Sequence, residues 1–322
     1  MTRWRAPTPS TRSGDLRVGA PATRDREAVL KSALDSLYQG FDDADSTVDP
    51  IRLVRPFDDP ADREVVGFFA AALAFGRVAG ILRSIERLLD VLGPSPARFV
   101  RTFDPQRARA SFARLGHRWV RGVDLMALVW VLRSVLREFG SIEAGFVRGL
   151  DPDAEDVSAA LESFTAWARA VDLDPVADRR QAPPNVRYFF PPPSAGSACK
   201  RLNLFVRWMV RSDRVDLGVW TGVRPSQLIV PLDTHVIRVG QCLRLTRYRS
   251  PGWRMAVDIT EALRHLDPND PVRYDFAMCH LGMMDACGFR RPQRDSQCPL
   301  RGACHPAGPR TPRASRPPSA RR

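Results

Sequence analysis

Lysine is almost missing from this sequence: of 49 Lys+Arg, all but Lys31 and Lys200 are arginine. Long apolar runs are missing too. The longest, near residues 68–75 and 125–132, fall far short of the roughly 20 residues a membrane-spanning helix needs. The N-terminus shows no signal-peptide core, so neither membrane insertion nor export is expected, and the expected location is cytoplasmic. Period-2 runs with hairpin punctuation are also lacking, which argues against a β-rich fold.

What remains is an ordinary globular composition of 322 residues, 44% hydrophobic and 26% charged, long enough to bury a sizeable core. The net charge of +13 points to a polyanionic partner, but its placement weakens that reading. Residues 1–25 carry five Arg and two Asp (+3) and residues 306–322 carry five Arg (+5), leaving 13 − 3 − 5 = +5 for the body. Both ends are rich in Pro, Ser, Thr and Arg. They are expected to be disordered basic tails with at most nonspecific attraction to phosphates.

Helical periodicity runs through the body. It predicts helices over about 26–38, 63–75, 78–92, 107–115, 125–139, 155–171 and 200–210, with Gly93-Pro94 stopping the third. Ser250-Pro251, with Ser250 as N-cap, predicts a helix over Trp253 to Leu266, and Asp270-Pro271 predicts another ending near Gly288. The expected fold class is all-α, two helical lobes with the chain crossing between them, followed by a cysteine loop at 287–304.

Lys200 carries the first chemical signal. A guanidinium stays protonated at any working pH, whereas a desolvated amine can lose its proton and attack carbon to form a Schiff base. The plain alternative is a polar residue on a helix whose apolar stripe is Leu202, Phe205, Val206 and Met209. Asp233 is the second signal, in Pro231-Leu-Asp-Thr-His-Val-Ile-Arg-Val239. An aspartate ahead of a helix is commonly an N-cap, and that reading stands beside any catalytic one.

The 231–239 stretch resembles the segment carrying the catalytic aspartate of the helix-hairpin-helix DNA glycosylases, among them endonuclease III and the 8-oxoguanine glycosylases. Gly196-Ser-Ala-Cys-Lys200-Arg-Leu-Asn-Leu204 is similar to the hairpin and lysine helix of their bifunctional members. Asp62-Arg63-Glu64 and the helix through Ala70 to Gly76 are similar to the first core helix. Across about 26–305 the chain also resembles a bacterial family of unknown function, with the run at 200–211 among the shared features. Two departures stand out: Ser194-Ala195-Gly196-Ser197 replaces the usual Gly-rich hairpin, and an insertion near 213–226 lengthens the interval between Lys200 and Asp233.

The resemblance implies two helical lobes with a cleft between them, lobe A about 61–190 and lobe B about 26–60 plus 199–286, and a base-excision enzyme acting as a monomer on damaged double-stranded DNA. Asp233 would stabilise the sugar cation and Lys200 would capture C1′. The base would be flipped into a pocket lined by Phe75, Arg77, Arg207, Trp208 and His235. The rival expectation is a nucleic-acid-binding protein that keeps the fold without the chemistry.

Six cysteines stand at 199, 242, 279, 287, 298 and 304. Cys199 and Cys242 read as small core residues. Cys287, Cys298 and Cys304 are similar to three of the four cysteines in the endonuclease III iron–sulfur loop, and Asp295 stands where the fourth would be. Three readings remain open: a [4Fe-4S] cluster completed by Asp295, Cys279, His280 or His305, a zinc site from the same set, or no metal. Arg290, Arg291, Arg294 and Arg301 of the loop are candidate phosphate contacts.

Overall fold

Helical periodicity becomes helix almost throughout the computed structural model, which describes residues 23–40, 49–177, 182–283 and 298–304. Among these residues run α1 (Thr23–Gln39), α2 (Pro60–Ala72), α3 (Val78–Leu92), α4 (Pro96–Arg101), α5 (Pro105–Phe112) and α6 (Gly122–Phe139). Then follow α7 (Ile142–Val147), α8 (Ser158–Ala170), α9 (Lys200–Val210), α10 (Thr234–Cys242), α11 (Trp253–Arg264) and α12 (Asp275–Met283). A small antiparallel hairpin, β1 (Gly116–His117) with β2 (Val120–Arg121), interrupts them. None of the helices among the described residues is long and apolar enough to cross a membrane.

The mainly helical class is as expected, and α3 and α9 span the predicted residues. Gly93, at φ 72, closes α3 by donating to the Leu89 carbonyl. The hairpin and the six-residue helices α4 and α7 escape pattern reading, because two-residue strands and single turns are too short to show a period. One helix cap and one helix start need correction. α11 begins at Trp253 as expected, but its N-cap residue is Gly252 instead of Ser250, and Trp253 N–H donates to the Gly196 carbonyl at 3.1 Å. Asp270-Pro271 opens a turn, and α12 begins at Asp275. At the N-terminus α1 takes in residues 23–25, which the sequence reading gave to the tail; the rest of both tails lies outside the described residues.

The helix that begins at Lys200 is fixed by its apolar stripe. Leu202, Phe205, Val206 and Met209 are all buried, α9 packs along α2, and each such side chain contributes about 2 kcal/mol of transfer free energy. Gly67 of α2 allows the close approach, since a Cβ there would lie 2.9 Å from Met209 Cε. Two buried carboxylates of α2 tie other helices to it. Asp62 accepts from Ala97 N–H (2.7 Å) at the start of α4. Glu64 accepts from the Ile142 and Glu143 amides at the start of α7 and from Trp220 Nε1–H (2.7 Å). Burial pushes the Glu64 carboxyl above its ordinary range, and these donors oppose that shift.

Candidate active-site cleft

The long interval between Lys200 and Asp233 is folded back onto the end of α9. Leu217 N–H donates to the Trp208 carbonyl (2.9 Å) and Trp220 N–H to that of Met209 (2.7 Å). Side chains lock this return. Arg207 donates through Nε and Nη2 to Asp216 (3.1 and 2.9 Å) and through Nη1 to Asp275. Arg211 pairs with Asp213 and Asp270, each at 2.9 Å, and with Asp216. Tyr38 Oη of α1 donates to Asp213 at 3.0 Å. Burial opposes charge on Arg207 and Arg211, but the surrounding aspartates outweigh it and hold both guanidiniums above their ordinary range. With the insertion stapled down, the chain reaches Asp233 beside the start of α9.

Lys200 and Asp233 line one cleft of about 400 Å³, within the usual range for a small-molecule site. Lys200 enters from the first turn of α9, half-buried, with no hydrogen bond or ion pair among the described residues. Asp233 caps α10, its Oδ1 accepting from the His235 and Val236 amides at 2.8 Å each. The cap reading of Asp233 therefore holds, and it leaves Oδ2 turned to the cleft. There the Cys279 thiol of α12 donates to Oδ2 at 3.0 Å. Desolvation, then the Asp233 charge, push that thiol well above its ordinary range, with Lys200 pulling the other way. Cys279 thus stays a neutral donor.

The remaining predicted lining residues separate. Phe75 and His235 do line the cleft. His235 lies against Gly282 of α12, where a Cβ would come within 2.6 Å of His235 Cβ, and its buried Nδ1 has no hydrogen-bond partner among the described residues. Arg77 is the exposed N-cap residue of α3, between the lining residues Gly76 and Val78 at the rim. Arg207 forms part of the wall but is 2% exposed and committed to Asp216 and Asp275, so it anchors the cleft instead of reading a base.

Trp208 is a correction. It is fully buried and absent from the cleft, because a step of about 100° per residue carries it some 80° around α9 from the Lys200 line. The Ser194–Ser197 turn does not act as a phosphate grip through its first amides either. Ser194 N–H donates to Glu162, Ala195 N–H to the Pro192 carbonyl and Gly196 N–H to that of Pro193.

Pattern reading missed Asp49, Asp275, Phe276 and Met283 as lining residues. Their helices were partly legible, but no local motif marks the side chains as facing Lys200. Cys279 was noticed only as a possible metal ligand.

Cys287, Asp295 and His305 lie outside the described residues. Of the proposed ligands in the loop, Cys298 is buried and Cys304 half-buried. His280 is buried in α12, its Nδ1 3.0 Å from the Phe276 carbonyl. Among the described residues no group of three or more His, Cys, Asp or Glu side chains is placed to hold a metal ion. The described donors do not make a cluster or zinc site by themselves. Cys199 is buried as expected, its desolvated thiol pushed up to about 12, whereas Cys242 is only half-buried.

Residues 49–284 match the family described as a protein of unknown function, DUF2400. The chain belongs to this family. No curated protein matches it, and no solved structure does. The DUF2400 span contains every described residue that lines the cleft, from Asp49 to Met283, and ends ahead of Cys287. The match thus covers the cleft-bearing body, and the cysteine loop lies beyond it.

Proposed function

We propose that this protein excises a damaged base from DNA, as a helix-hairpin-helix glycosylase does, with Asp233 and Lys200 as its catalytic pair. The two expected lobes, the monomeric state and the DNA partner belong to this reading. One observation carries it: a carboxylate and an amine 33 positions apart in sequence line the same cleft, from the starts of two different helices.

Breaking the N-glycosidic bond sends its electron pair onto the departing base and leaves positive charge at C1′, which the Asp233 carboxylate stabilises. The Lys200 nitrogen, once deprotonated, donates its lone pair to C1′. One of its two N–H protons is then lost to solvent as the C1′–O4′ bond opens and O4′ is protonated, giving a protonated Schiff base. Base extrusion is required, because neither group can reach C1′ of a stacked nucleotide. The half-buried setting of Lys200 and the lack of an ion pair among the described residues leave its amine available to the cleft.

The test is borohydride trapping on duplexes carrying 8-oxoguanine, an oxidised pyrimidine or an abasic site. A covalent adduct that Lys200→Met abolishes is the expected result, and Asp233→Asn should slow excision by about 10²–10³-fold, the range seen when one electrostatic stabiliser is removed. No adduct and no cleavage on any lesion would sink the enzymatic reading. A second reading, nucleic-acid binding without catalysis, draws support from the engagement of Asp233: both oxygens already accept hydrogen bonds, as a purely structural cap would. It predicts that Asp233→Asn lowers thermal stability while DNA binding persists and no lesion is processed.

A further inference from the structure

Phe75 belongs to the cleft on one side and to a cluster of aromatic rings on the other. The β1–β2 hairpin turns through Arg118 and Trp119, with Arg118 at φ 55, in the left-handed region that non-glycine residues enter at a cost. The turn carries Trp119 into solvent at 54% exposure, the highest of any large apolar side chain among the described residues. Its ring lies 4.8 Å from Phe75 and 5.7 Å from Tyr188. The backing is rigid. The Arg201 guanidinium covers the Tyr188 ring at 3.9 Å and donates to the Ala72 and Tyr188 carbonyls, and His117 Nε2 lies 2.8 Å from the Phe75 carbonyl. Trp119 and Tyr188 also line a second cavity of about 270 Å³, together with the Arg121–Asp124 ion pair.

Charge separates this patch from the cleft. Among the described residues the cleft wall holds three acidic side chains, Asp49, Asp233 and Asp275, against Lys200 and the committed Arg207, a balance that suits gripping a polyanion outside it. At the hairpin, the exposed Arg118 stands 5.1 Å over the Trp119 ring and reaches across Gly76 at the rim. Cations beside an exposed ring with a rigid aromatic backing are what an unpaired nucleotide uses: its base stacks and its phosphate meets the guanidinium.

We propose that the Arg118–Trp119 hairpin tip, backed by Phe75 and Tyr188, is a second nucleobase site that stacks an unpaired base while the cleft takes its neighbour. This rests on reading the cleft as a nucleic-acid site, with Phe75 as the shared wall.

Anisotropy of a labelled short oligothymidylate, a duplex of equal length and labelled heparin, each titrated with the full chain, tests it. Trp119→Ala should weaken oligothymidylate binding about tenfold, as loss of one base–aromatic stack does, and leave heparin binding unchanged. Trp119→Phe, which keeps a ring against Phe75, should restore most of it and guards against a folding defect. Arg118→Ala should lower the salt dependence by about one phosphate contact. Equal oligothymidylate affinity for Trp119→Ala and the parent, or a parallel loss on heparin, would overturn the proposal. The catalytic reading fails separately: no lesion processed, yet Trp119-dependent oligothymidylate binding, removes the glycosylase and keeps the base site.

Discussion

Two cations of α9, Lys200 and Arg207, stand about two turns apart on the wall of one cleft, in opposite surroundings. Arg207 is buried between Asp216 and Asp275, inside a cluster in which two guanidiniums face four carboxylates. Lys200 is half-buried with no ion pair among the described residues. The difference follows side-chain chemistry. A guanidinium offers a planar fork of donors and cannot be discharged, so it suits a fixed joint, whereas an amine suits a place where the proton must leave. In a chain with so few lysines, that contrast separates an anchor from a candidate reactive group.

The anchor should be the harder to lose. Asp216 serves both Arg207 and Arg211, and Asp216→Ala would leave two buried guanidiniums short of a partner. A loss of about 3–5 kcal/mol is expected, read from the urea midpoint. A loss below about 1 kcal/mol would show that the cluster does not hold the 211–220 return in place, and the contrast between the two ends of α9 would disappear.

Next in size is Gly282→Ala. The new Cβ would sit 2.6 Å from His235 Cβ, near the root of that side chain, so α10 and α12 must shift. An overpacking cost of about 1–3 kcal/mol is expected as a fall in Tm. An unchanged Tm would mean that the His235 side of the cleft yields easily, unlike the Arg207 side.

The residues explain what was legible. α9 was readable because its apolar stripe keeps the helical period, and Asp233 because a cap residue announces itself locally. Their meeting in one cleft was reached through resemblance, since contact across 33 positions has no local signature. Trp208 was misplaced because a tryptophan near a lysine on a helix reads equally as wall or core until the helix's rotation is known. The Arg–Asp cluster was hidden for another reason. Asp213, Asp216, Asp270 and Asp275 share no local motif, and only the fold brings them onto α9.

A smaller effect concerns protonation within the anchor. Desolvation pushes the Asp275 carboxyl up to about 7 from an ordinary 3.8, and Asp216 adds to the shift while Arg207 and Arg211 oppose it. Between those two values the folded chain holds a proton that the unfolded chain has released, so the contribution of this group to stability falls as pH rises through that window. Asp275→Asn cannot ionise, and its Tm should vary less than the parent's between about pH 4 and pH 7. Parallel profiles would mean that Asp275 is charged throughout and that its pairing with Arg207 dominates its burial.

The smallest stability change should come from Lys200→Met. No hydrogen bond or ion pair among the described residues is lost, the methylene stem is largely replaced, and the cost of partly desolvating an amine is removed. The expected change lies within about 0.5 kcal/mol, or roughly 1–2 °C in Tm. Lys200→Arg sharpens the point, since it keeps the positive charge but cannot form a Schiff base, so it should leave the fold and DNA affinity near the parent's and abolish trapping. A loss of several kcal/mol on Lys200→Met would give Lys200 the same structural duty as Arg207. The unpaired amine would then be one more joint of the fold, and the case for a nucleophile at the start of α9 would fall with it.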